Sequence, residues 1–100
     1  MNNFQLEIDK AMGAIEHLFG IKPNLEIIYS RFFDFLGRTL KYPLSNEYII
    51  EFNPKTMCLD TVHHEFAHIV TLELFNHADH SSEFENYKQQ IKEYCENETI

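Results

Sequence analysis

Apolar positions in the first fifth of the chain recur at helical spacing. Phe4, Ile8, Ala11, Met12, Ile15, Leu18 and Phe19 fall three and four residues apart, which predicts a helix from about Asn3 to Phe19. Gly20 sits where a C-terminal cap belongs, and Pro23 follows it. The pattern then becomes strand-like. Leu25 to Tyr29, Phe35 to Tyr42 and Tyr48 to Phe52 are short β-rich runs, punctuated by Pro43, Ser45-Asn46 and Asn53-Pro54. The stretch around Phe32, Phe33 and Phe35 fits a loop as well as a strand. Thr61 to Phe75 is so densely apolar that it leaves little polar face, so this helix belongs at the centre. After a polar break from Asn76 to Ser81, Ser82 and Glu85 have capping-box spacing. Phe84, Tyr87, Ile91 and Tyr94 then mark a last amphipathic helix. The expected order is α-β-β-β-α-α, an α+β fold in a single domain spanning residues 1–100.

Polar residues inside the central helix need a reason, because burying them costs free energy. They form His64-Glu65-Phe66-Ala67-His68, an H-E-x-x-H. Four residues along a helix turn it by about 400°, so the two imidazoles lie about 40° apart and about 6 Å up one face. That spacing lets both bind one tetrahedral metal ion. Glu65 lies beside the same face, where it can accept a proton from a water attacking a carbonyl. A catalytic zinc takes a third protein ligand and keeps an open position. Beyond His68 the candidates are Glu73, His77, Asp79, His80 and Glu83. Helical rotation turns Glu73 away from the His64/His68 face. A chain reversal in the polar break returns His80 toward it, and His77 and Asp79 also fit the spacing.

Charge and cysteine content narrow the function classes. Eight basic against 16 acidic residues give a net charge of −8. A small basic patch such as Arg31, Arg38 and Lys41 does not reverse that field, which opposes direct DNA binding and anionic membrane surfaces. The two cysteines, Cys58 and Cys95, make neither a disulfide framework nor a zinc ribbon, and are expected to be buried or half-buried thiols. No apolar run approaches membrane-spanning length, and residues 1–5 lack a signal-peptide pattern. The expected setting is cytoplasmic and reducing. With 100 residues, area scaling gives a folded surface of roughly 6,000 Å² and one modest core.

Several separated segments together resemble the SprT-like zinc metallopeptidases, the Spartan-type proteases. They are Leu36-Gly37-Arg38, Ile50-Glu51-Phe52-Asn53-Pro54, Val62-His63-His64-Glu65-Phe66-Ala67-His68 and His80-Ser81-Ser82-Glu83-Phe84. The likeness covers roughly residues 24 to 90. Ser81 stands where that family usually has glycine, a change that a negative φ tolerates. The resemblance implies a minimal zincin-like core, with one Zn²⁺ per chain held by His64, His68 and His80 and with Glu65 as general base. It further implies a hydrolase acting on a protein or peptide substrate. In such folds an edge strand above the cleft pairs with extended substrate, and Tyr48 to Phe52 is the segment expected there. The well-known members act on proteins crosslinked to DNA, a substrate that this acidic chain does not support by itself.

Two further readings stand beside the metallopeptidase. One is a non-catalytic, metal-stabilised adaptor that clasps a peptide, against which the intact Glu65 argues. The other is a catalytic core that works only within a larger complex. His63 faces about 100° from His64 and is expected to be packed or solvent-facing. His77 and Asp79 are expected to lie outside the ligand set, and His17 on the surface near a helix C-terminus. Arg38 is expected to join the sheet to the active-site helix through a carboxylate, in preference to acting near the substrate. Tyr42 and Tyr48 are the oxyanion candidates by residue type.

Overall fold

A computed structural model describes residues 3–77 and 79–97. Its elements run α1 (Asn3–Phe19), β1 (Asn24–Tyr29), β2 (Gly37–Lys41), β3 (Glu47–Phe52), α2 (Leu59–Phe75) and α3 (Ser82–Asn97). This is the α-β-β-β-α-α order that the hydrophobic pattern predicts. The surface area is 6042 Å², in line with the scaling expectation. No helix among the described residues is long and apolar enough to cross a membrane.

The helix ends follow from local chemistry. Gly20 adopts φ 69° and donates its N–H to the Glu16 carbonyl at 2.9 Å, which closes α1. Asn76 does the same for α2, with φ 59° and a 3.1 Å bond to the Leu72 carbonyl. Helix α2 starts two residues earlier than the apolar pattern suggests, because Cys58 is the N-cap. Thr61 stands at the third helical position, and its hydroxyl accepts the Cys58 N–H at 3.1 Å. Cysteine is a poor cap by type, so the sequence does not advertise this start. Cys58 is exposed there, contrary to its expected burial, while Cys95 is buried. Helix α3 is capped by Ser81 rather than Ser82. The Ser81 hydroxyl accepts the Phe84 N–H at 3.3 Å, and its carbonyl accepts the Glu85 N–H at 3.1 Å.

The sheet order is β1-β3-β2, with β1 parallel and β2 antiparallel to β3. This overturns the expectation that Tyr48 to Phe52 forms the edge by the cleft. Strand β3 is central because its inward residues Tyr48, Ile50 and Phe52 are all buried large side chains, and such a strand gains most with neighbours on both sides. Strand β2, with Gly37, Arg38 and Lys41, has the composition of an edge. It packs on α2, which also contacts α1 and α3. Alanines at 11 and 14 let α1 come close, and Val62, Phe66, Ala67, Ile69 and Val70 of α2 fill the middle with Phe84 and Ile91 of α3.

Arg38 holds a carboxylate, but on the sheet rather than on the helix. Its Nε donates to Glu51 Oε1 at 2.7 Å, a cross-strand pair between β2 and β3. Asn53 fastens the loops that flank the sheet. Its Nδ2 donates to the Phe33 carbonyl at 2.9 Å, and its Oδ1 accepts the Lys55 N–H at 3.0 Å. Its own backbone N–H reaches the Leu36 carbonyl at 3.0 Å, next to the start of β2. Replacing Asn53 with Ala strands two polar groups around a buried position, so urea denaturation should show a loss of about 2 kcal/mol. A change below about 0.5 kcal/mol, the range of ordinary surface substitutions, would show that the loops are held otherwise.

Candidate metal centre

Three elements converge on one cleft. Helix α2 supplies His64 and His68, one turn apart on the same face. His80 comes from the residue just before the Ser81 cap, so the cap that starts α3 also fixes where the third imidazole stands. The three Nε2 atoms lie 3.2 Å from one another in every pairing. Neutral imidazoles carry one N–H each; with that proton on Nδ1, the three Nε2 lone pairs converge on one point, an arrangement that a cation among them satisfies. Tetrahedral zinc at about 2.0–2.1 Å from each nitrogen separates neighbouring ligands by roughly 3.3–3.4 Å. The donor set and its spacing therefore fit such an ion.

Phe84 explains why the rings hold that arrangement. Its buried ring lies 5.0 Å from His64, 4.6 Å from His68 and 4.8 Å from His80, centroid to centroid. One aromatic side chain thus floors all three imidazoles. Burial lowers the pKa of His64, and it lowers that of His68 to about 4 with help from the neighbouring His64 and His80. His68 therefore remains a neutral donor at neutral pH, the form that a metal requires.

Glu65 points from α2 toward β2 and is buried, 4% exposed. The Thr39 hydroxyl lies 2.6 Å from its Oε1 and 3.1 Å from its backbone carbonyl. Burial raises the pKa of the Glu65 carboxyl, and the Thr39 hydrogen bond opposes that rise. Gly37 provides the space. A Cβ there would come within 3.0 Å of Glu65 Cγ and Thr61 Cγ2, and within 3.1 Å of Glu65 Oε2. The resulting cleft of about 270 Å³ is lined by Gly37, Arg38, Thr39, His64, Glu65, His68 and His80. Thr39 was not singled out in the sequence, where its one signal is a position two residues after Gly37, facing inward on β2.

The other candidates lie elsewhere. Glu73 accepts the Tyr48 hydroxyl and lies 3.8 Å from Lys41 Nζ, away from the histidine triangle. His77 and Asp79 face each other, with Nδ1 2.5 Å from Oδ1. Glu83 is exposed and accepts the Ser82 hydroxyl at 2.7 Å. His63 is buried and meets Glu7 of α1. His17 is exposed, with Tyr94 beside it. Tyr42 and Tyr48 line a different hollow with Asn24, Glu26 and Glu47, so neither is placed to face a substrate in the histidine cleft. Ser81 keeps an ordinary negative φ, which removes the need for glycine after His80.

The chain belongs to the SprT-like family, whose model matches residues 23–99. The family is zinc-binding, with a zincin-like domain of the metallopeptidase type. No curated protein and no solved structure matches the chain. The match begins at the loop before β1, so all the cleft residues named above fall inside it while α1 falls outside.

Two glycine substitutions should move stability in opposite directions. Gly37→Ala presses on Glu65 and Thr61 and should cost about 1–2 kcal/mol. Gly13→Ala meets nothing closer than the Tyr94 hydroxyl at 4.0 Å within a helix, and should gain about 0.5–1 kcal/mol. Chemical denaturation of both variants checks the pair. A neutral Gly37→Ala would mean that Glu65 is not confined by β2.

Proposed function

We propose that this chain is a zinc-dependent endopeptidase in which His64, His68 and His80 hold one Zn²⁺ and Glu65 is the general base. The observation that carries the reading is the Nε2 triangle with 3.2 Å sides, open to a cleft that Glu65 also lines. A bound zinc supplies Lewis acidity there, which makes water a competent nucleophile near neutral pH and polarises a carbonyl.

The chain's own residues do the rest. Glu65 accepts a proton from the attacking water at its carboxylate and returns it to the leaving amine. Burial favours this role by raising its proton affinity, and the Thr39 hydroxyl keeps Oε1 oriented. Gly37 lets the carboxylate lie against β2 without a competing side chain. Strand β2 pairs with β3 along one edge, and its residues 37–39 line the cleft. Its other edge is the natural place for an extended substrate backbone to add as a further strand. That role passes to β2 because β3 is already paired on both sides. Association with a larger complex is compatible with this cleft and is not required by it.

Metal analysis of the purified full chain should find one zinc at the histidine cluster, with His80→Ala binding it at least tenfold more weakly. Glu65→Gln should keep that metal and lose about 100-fold or more of peptidase activity on an unfolded protein substrate. Metal bound without turnover in the unaltered chain would instead favour the peptide-binding adaptor. Full activity in Glu65→Gln would overturn the assigned mechanism.

A further inference from the structure

On the far side of α2 from the cleft, the three helices meet at a second group of ligating side chains. Glu7 of α1, His63 of α2 and Cys95 of α3 bring their ligating atoms within 4.8 Å of one another. All three are buried, at 9%, 5% and 1% exposure. His63 Nε2 lies 2.5 Å from Glu7 Oε2. The other ring nitrogen, His63 Nδ1, has no partner among the described residues although it is buried. A hollow of about 380 Å³ opens beside the three residues, with Asp60, Lys92 and Glu96 on its walls. It offers both an entry path and room for a further ligand.

We propose that Glu7, His63 and Cys95 form a second metal site, structural in role, for a borderline-soft divalent cation such as zinc. The donor set is one carboxylate, one imidazole and one thiolate. That set suits zinc, whereas magnesium and calcium take oxygen ligands. Coordination exchanges the Cys95 S–H bond for a bond to the ion, the proton leaving to solvent, and replaces the Glu7–His63 contact with two further bonds to the ion. The ion would join one residue from each of the three helices, a staple of the kind small domains use to supplement a limited core. None of its ligands belongs to the histidine triangle, so the site stands independently of the proposed catalytic centre.

The test uses the full chain, reduced, stripped of metal, loaded with Co²⁺ or Zn²⁺ and dialysed. The expected result is two ions per chain, with a thiolate-to-cobalt charge-transfer band in the near ultraviolet. That band should persist in Cys58→Ser and in the double variant His64→Ala/His68→Ala, and should vanish in Cys95→Ser. Glu7→Gln preserves the shape of the site and should weaken its Co²⁺ affinity by tenfold or more. One ion per chain without a thiolate band in the unaltered protein would overturn the second site and leave the histidine centre untouched. A band that follows Cys58, or a Glu7→Gln affinity equal to that of the unaltered chain, would overturn it as well.

Discussion

Helix α2 has to be the middle of the core and the carrier of the proposed chemistry at the same time. It lies between α1 and α3 on one side and β2 on the other, so it has almost no face to give to water. Its polar residues leave it toward the few polar partners that the neighbouring elements supply. His64 and His68 face the opening before α3, Glu65 turns to the Thr39 hydroxyl, and His63 turns to Glu7. Four successive or near-successive polar residues thus leave one helix in three directions. The strand on one side and the helices on the other are arranged around those directions. Burial that would otherwise be a cost becomes the means by which the cleft tunes its groups: it keeps His68 neutral and raises the proton affinity of Glu65.

Much of this is legible in the sequence. Helix α1 runs from Asn3 to Phe19 as the three-and-four spacing indicates, and α2 and α3 appear where apolar periodicity puts them. Periodicity works here because the core is one-sided for α1 and α3 and all-round for α2. The histidines on α2 were visible because a fixed helical pitch converts sequence spacing into spatial spacing. His80 was not reachable that way. Its approach depends on a chain reversal, and a reversal leaves no periodic trace. It was the likeness of the His80-to-Phe84 segment to a known family that pointed to it, and the geometry brings it within 3.2 Å of both partners.

What the sequence concealed has a common cause. Strand order is set by which strand buries the most apolar surface between two neighbours, and short runs of similar composition do not reveal that ranking. Tyr48 to Phe52 looks like any β-rich run, yet it is the central strand, and the unassuming Gly37 to Lys41 lies at the cleft. The importance of Thr39 follows from this placement alone. Phe84 lies on the apolar face of α3 and is buried, as its spacing suggests, but the same ring also contacts all three imidazoles. Cap chemistry was concealed in a simpler way. Ser81 and Ser82 are adjacent and chemically identical, so only the direction of the Ser81 hydroxyl distinguishes the cap from its neighbour.

That choice of cap has a consequence for how the cleft can open. His80 is attached to the first turn of α3 through a single residue, whereas His64 and His68 are built into the middle of the most buried helix. Helix ends fray more readily than helix middles. For a chain holding an ion at the triangle, losing the third imidazole and unwinding the start of α3 are therefore one equilibrium viewed from two ends. Whatever stabilises that first turn tightens the grip on the ion by the same free energy, and the ion in turn nucleates the helix that holds it. Under the proposed function the C-terminal helix is an arm of the ion's site, and its winding is the degree of freedom through which the affinity of that site is set.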